Sequence, residues 1–271
     1  MIVLLIIGVL LLLAVLYLLI LRGRTGHPGL EQLQGFGYAH RGLHGNGVPE
    51  NSMAAFRAAL EKGYGIELDV HLLKDGNLAV IHDASLKRTA GVDLRIEDLT
   101  TEELKNYRLE GTEERIPEFR EVLELYAGKA PIIIELKAER GNYAALSQKV
   151  CQMMDSYRGP FCIESFDPRC ILWLRKNRPE ILRGQLSANF VADRKSKVPM
   201  IFKMVVAWQL LNFLLLPDFV SYKFADRNNL GMRLVRKFWK VQGVSWTICS
   251  QADYDTALEE GWLPIFESFT P

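Results

Sequence analysis

The sequence predicts an α/β protein, a (β/α)8 TIM barrel with a small hairpin and helical insertion after its second strand, preceded by one N-terminal transmembrane helix. Three observations predict it. Short apolar runs alternate with helical patterns, giving eight strands near residues 38, 66, 133, 163, 186, 221, 246 and 266. A two-residue turn signal, Asp75-Gly76, follows the second run directly. Residues Met1 to Leu21 carry no charged side chain and are almost all Leu, Ile and Val, and about 20 apolar residues span a bilayer as a helix.

The first 21 residues are read as a retained anchor. A cleaved signal fits less well, because no basic segment opens the run and Leu-Arg-Gly-Arg stands where small residues would precede cleavage. Arg22 and Arg24 flank only the C-terminal side. The positive-inside tendency then predicts a single-pass protein of the cell membrane with its folded domain in the cytoplasm. Residues 22–35 read as a Gly-rich linker and residues 36–271 as the folded domain.

Within the domain, Phe36 to Ala39 forms a strand that delivers His40-Arg41-Gly42. Asn51 or Ser52 can cap a helix through Met53, Phe56 and Leu60 that stops at Gly63. The second strand, Gly65 to Asp69, enters the hairpin. Centring a two-residue turn on Asp75-Gly76 pairs positions whose numbers sum to 151, which sets Asp69 opposite His82, with Glu67 on the same side of its strand. Thr100 and Glu103 fit a capping box, and Pro117 suits a first helical turn. The run Pro131-Ile-Ile-Ile-Glu-Leu-Lys137 reads as a buried parallel strand with a charged tip. Asp167-Pro168 caps and starts a further helix. Residues Val198 to Val220 are strongly apolar; they read as an outer helix on the barrel, or as a surface that residues 198–216 rest on lipid.

Thirty-three basic residues against 32 acidic ones give a net charge of +1, so nothing electrostatic favours nucleic acid as a partner. Cys151, Cys162, Cys170 and Cys249 show no metal-ligand spacing and read as small buried hydrophobes.

In a barrel of this type the strand C-terminal ends carry the chemistry. His40, Glu67, Asp69, Glu135, Lys137 and Phe166 fall there. Three carboxylates, Glu67, Asp69 and Glu135, are hard oxygen ligands that favour Mg2+ or Ca2+ over Zn2+. Ion pairing with Arg41 and Lys137 is the competing explanation. His40 and His82 flank the acids and suit proton transfer. Arg41 and Lys137 are natural donors to phosphate oxygens. His27 reads as linker, His44 as loop and His71 as a hairpin residue.

These residues, HRG, PEN-S, IELDV, LLKDG, VIHD, IIIELK, ESFD and VSWTI, occur in order over about residues 36 to 271. The pattern resembles the glycerophosphodiester phosphodiesterase family. The resemblance implies hydrolysis of a glycerophosphodiester to glycerol 3-phosphate and an alcohol. It implies His40 and His82 as catalytic residues, Glu67, Asp69 and Glu135 as metal ligands, and Arg41, Lys137, Glu50, Asn51, Phe166 and Trp246 as substrate contacts. The family's acidic residue near the last strand is replaced here by Phe266-Glu267-Ser268-Phe269-Thr270-Pro271, where Glu267 or Ser268 can stand in. Two alternatives remain: a phospholipase-D-like or -C-like hydrolase of a lysophospholipid or phosphatidylglycerol, and a membrane-anchored binding module without turnover.

Overall fold

The structure, a computed structural model, describes residues 1–191 and 199–271. Helix α1 spans Ile2–Ile20, followed by a 3-10 turn at Pro28–Leu33 and strand β1 at Tyr38–His40. Then come α2 (Met53–Glu61), β2 (Gly65–Leu72), β3 (Leu78–Val80), α3 (Lys87–Ala90), α4 (Thr101–Leu104) and α5 (Phe119–Tyr126). The chain continues through β4 (Ile132–Leu136), α6 (Tyr143–Met154), β5 (Phe161–Ser165), α7 (Pro168–Asn177), β6 (Arg183–Ser187), α8 (Met200–Ala207) and α9 (Asn212–Leu215). It ends with β7 (Phe219–Lys223), α10 (Leu230–Trp239), β8 (Gln242–Ile248), α11 (Gln251–Glu259) and β9 (Trp262–Phe266).

Among the described residues these strands form one sheet, ordered β1-β9-β8-β7-β6-β5-β4-β2-β3, and a β1–β2 pairing closes it. Every strand but β3 is parallel to its neighbours. That is the closed eight-stranded barrel the strand count predicts, with β3 hung antiparallel on β2.

The lower half of the barrel is apolar. Tyr38, Ile133, Cys162, Phe219, Val244 and Leu263 fill it, and Leu33 of the 3-10 turn stops its base. Each such side chain contributes roughly 1.5–3 kcal/mol on burial. Gly184 is required here, because a Cβ at that position would lie 2.1 Å from the Phe219 ring. A larger cluster joins the outer face of the strands to the helices, as β4 shows by being buried on both sides.

The helix signals hold with small shifts. Ser52, not Asn51, caps α2, accepting from Ala55 N at 3.1 Å. The Thr100–Glu103 capping box is present. Asp167 caps α7 with Pro168 in its first turn. Pro117 lies outside α5, which begins instead at a Glu118–Glu121 capping box.

The hairpin register differs from expectation by one residue. Val70 pairs with Val80, His71 with Ala79 and Leu72 with Leu78, so the paired numbers sum to 150. Leu73 N donates to Asn77 O, and Gly76 takes a left-handed φ of 79°. The loop therefore holds three residues rather than two. Asp69 O accepts from Ile81 N, and His82 lies one residue further on. The inserted residues after β3 bury their own cluster around Ile81, Leu86, Ile96 and Leu104.

The greasy stretch after β6 is two short helices, α8 and α9, rather than one outer helix; Val198 lies outside the described residues. Three cysteines are buried, but Cys249 is exposed, contrary to expectation. Helix α1 is long and apolar enough to cross a membrane, and none of its residues is buried. Residues 22–35 run along the barrel base, where Arg24 pairs with buried Asp218 (Nη2–Oδ2 2.6 Å).

Candidate active site

Strand pairing brings the predicted acids together. The register sets His40 beside Glu67, Asp69 beside Glu135, and Glu135 beside Glu164. Alternation along each strand then turns these side chains into the barrel mouth. Oxygens of Glu67, Asp69 and Glu135 lie within 4.8 Å of one another, and all three residues are buried.

Lys137 follows β4 and sits between two of them. Its ammonium is 2.9 Å from Asp69 Oδ1 and 2.7 Å from Glu135 Oε1. Arg41, with a left-handed φ of 53°, donates its backbone N–H to Glu67 Oε2 at 3.2 Å. Its Nε lies 3.6 Å from Asp69. Asn51 donates to Asp69 Oδ2 at 2.8 Å.

The electrostatics are uneven. Burial alone would raise Asp69, but Lys137, His82, Arg41 and the Asn51 hydrogen bond hold it well below the usual carboxylate range. Burial and the neighbouring acids push Glu67 well above that range. Burial pushes Glu135 up to about 7 despite Lys137. Glu164, on β5, is also raised, by burial and then by Glu135. Four carboxyls, Glu67, Asp69, Glu135 and Glu164, thus face two cations, Arg41 and Lys137. A hard divalent cation fits this donor set, because it would relieve the repulsion that keeps Glu67 and Glu135 raised.

Each histidine carries its own carboxylate. His40 Nδ1 lies 2.5 Å from Glu267 Oε2, just past β9, while its Nε2 points toward Glu67 Oε2 at 3.9 Å. His82 Nδ1 lies 2.7 Å from Asp83 Oδ1. A carboxylate that accepts from Nδ1–H leaves Nε2 free for proton transfer. Burial lowers His82, with Asp69 pulling the other way.

A cavity of about 110 Å³ connects these groups, lined by His40, Glu67, His82, Glu135, Phe166 and Trp246. Phe166 and Trp246 meet edge to face at 5.7 Å, and Phe190 extends the aromatic wall at 5.9 Å from Phe166. Glu50 is turned elsewhere. It accepts from Arg41 Nη1 at 3.0 Å and from Arg88 at 2.7 and 3.0 Å, and Arg88 also holds Asp83 at 2.6 Å.

Several residues here were not singled out by the sequence. Glu164 lay inside the ESFD segment, and its place as the acid within a short apolar strand was the available signal. Arg88 gave no local sign. His71 is no bystander: it is buried, with Nδ1 2.8 Å from Glu97 and Nε2 3.2 Å from His82 O. His27 caps the 3-10 turn, and His44 Nε2 approaches Glu267 at 3.8 Å.

The model of the glycerophosphoryl diester phosphodiesterase family matches residues 40–266. The chain belongs to that family of phosphoric diester hydrolases. A glycerophosphodiester phosphodiesterase of Bacillus altitudinis is 42% identical over 165 residues, which are 57% of this chain and 67% of that one. A lysophospholipase D of Rattus norvegicus is 38% identical over 133 residues, 44% of this chain and 41% of the relative. Among solved structures, an Oleispira antarctica phosphodiesterase in complex with its product sn-glycerol-3-phosphate superposes with a TM-score of 0.74 at 21% identity, covering 90% of this chain and 95% of that one. That likeness shows the same fold.

Proposed function

We propose that this chain hydrolyses glycerophosphodiesters to sn-glycerol 3-phosphate and an alcohol, using His40 and His82 as base and acid at a site that takes Mg2+ or Ca2+. The observation that carries this is the pair of histidine–carboxylate dyads facing one cluster of buried acids. Glu67, Asp69 and Glu135 would hold the cation, which supplies charge neutralisation and polarises the phosphodiester. Arg41 and Lys137 bind phosphate oxygens. Asn51 and Glu50 act one step back, fixing Asp69 and Arg41. His40 Nε2 takes a proton from the attacking hydroxyl, either water or the glycerol 2-hydroxyl, the second giving a cyclic phosphate that water then opens to glycerol 3-phosphate. His82 gives one to the departing alkoxide, and Asp83 steadies the imidazolium form it starts from. Phe166 and Trp246 form the wall that excludes water beside the diester.

Membrane anchoring by α1 belongs to the same proposal, with a single pass and a cytoplasmic domain. Residue Leu21, directly after α1, is 0% exposed within the main core. A chain cut there would lose a core residue, which supports retention of the helix.

A second reading has a specific observation in its favour. The aromatic wall of Phe166, Trp246 and Phe190 would accommodate an acyl chain, so a lysophospholipid could serve as substrate in place of a water-soluble diester. The test uses the full chain in lipid nanodiscs, with glycerophosphocholine and a lysophosphatidylcholine, with and without chelator. Release of glycerol 3-phosphate that stops on chelation supports the first reading, and release of choline from the lysolipid supports the second. Full turnover in His40→Ala or His82→Ala would reject both.

A further inference from the structure

We infer that the bilayer rests against the outer wall beside β6 to β8, on the mouth side, so that the barrel is held rigidly with its opening turned toward lipid. The inference rests on α1 being the membrane anchor proposed above, and adds how the domain sits on it.

The anchor is not joined by a loose tether. Its last turn packs on α9 and α10. Trp239 Nε1 donates to Leu18 O at 2.7 Å, Asn212 Nδ2 donates to Leu21 O at 3.4 Å, and the Tyr17 hydroxyl donates to Trp208 O at 3.4 Å. Gly23 then lies so close to Val241 that a Cβ would come within 2.5 Å of it, and Arg24 N donates to Pro217 O at 2.9 Å.

These contacts give α1 a direction. Pro217 precedes β7 and Val241 precedes β8, so residues 23 and 24 lie at the barrel base. Tyr17 meets Trp208, and its neighbour Ala207 is held by the hydroxyl of Tyr222, the fourth residue of β7. Going back from Arg24 to Tyr17, the chain therefore climbs from base toward mouth. The preceding 16 residues, all exposed, continue that way into whatever solvent suits them.

The same wall carries apolar side chains that stand exposed among the described residues. Ile201, Phe202 and Trp208 are 59%, 60% and 46% exposed, and Leu230, which opens α10 at the mouth end, is 63% exposed. They flank the point where α1 leaves the domain. An apolar surface of this kind is uncommon on a protein wholly in water. Its continuity with a bilayer-length helix identifies lipid as what covers it.

The experiment labels single cysteines in the full chain, in a Cys249→Ser background, with an environment-sensitive fluorophore, and reconstitutes it in nanodiscs containing nitroxide-labelled lipid. Labels at Ile201→Cys and Leu230→Cys are expected to be quenched several-fold more than labels at Gln34→Cys near the base and Glu124→Cys on α5. Equal quenching at the four positions in protein that co-purifies with nanodiscs would overturn the fixed orientation and leave the anchor standing. Failure to co-purify with lipid would overturn both.

Discussion

His40 Nδ1 lies 2.5 Å from Glu267 Oε2, a contact that joins the first strand of the barrel to the residue just past the last. It fixes which imidazole nitrogen faces the acids. Glu267→Gln is therefore expected to lower kcat by about 10–100-fold, the range typical for groups that orient a catalytic residue, with KM little changed. Steady-state kinetics on a soluble diester reads this directly. A kcat equal to the parent's would show that His40 needs no such partner.

The raised carboxyl of Glu135, near 7, makes stability depend on pH. A carboxyl whose pKa is higher in the folded state binds its proton more tightly there, so folding weakens as pH rises from about 4.5 through 7. Cation-free protein is expected to melt lower at pH 8 than at pH 5.5, and Glu135→Gln should flatten part of that slope. Added Mg2+ or Ca2+ should restore the parent's melting temperature at pH 8 by binding the folded state alone. Thermal melts across pH with chelator check each arm. A cation that leaves the melt at pH 8 unmoved would speak against a site at these acids.

Arg88 ties Glu50 to Asp83 and so supports both Arg41 and His82. Burial alone would raise Glu50, but the hydrogen bonds and charge of Arg88 and Arg41 hold it below the usual carboxylate range. That contribution is present above the ordinary carboxylate pKa and fades as pH falls through the depressed one. Arg88→Ala is expected to cost about 0.5–1 kcal/mol at pH 7, given the half-exposed side chain. The difference from the parent should shrink below about pH 4 in denaturant titrations.

Leu21 directly follows helix α1 and belongs to the buried core. Leu21→Ala should destabilise the domain by about 2–5 kcal/mol, as for other buried leucines. Chemical unfolding in mild detergent would measure it. A change below about 0.5 kcal/mol, the scale of surface substitutions, would mean the helix is only loosely attached.

The strand order was readable because parallel strands buried on both faces leave continuous apolar runs, and because Glu67, Asp69 and Glu135 stand out against Ile and Leu. The hairpin register slipped by one because nothing in the letters Asp75-Gly76 says whether two or three residues turn. The Leu73 N–Asn77 O bond, with a left-handed φ at Gly76 but not at Asp75, decides it. The Glu267 contact depends on closing β9 onto β1, a pairing of residues more than 220 apart, so the sequence offered it only as a stand-in acid. Glu164 hid among recognised letters. The docking of α1 was invisible, since the contacts run through backbone carbonyls of Leu18 and Leu21, which every residue possesses.

The burial of Leu21 bears on how turnover should be counted. On the proposed anchoring, the enzyme would meet a dissolved diester at its bulk concentration and a film-borne one at its mole fraction in the film. For the second kind of substrate, rate would follow two-dimensional density and would fall when inert detergent dilutes the surface, even at constant total concentration. For the first kind, such dilution would change nothing.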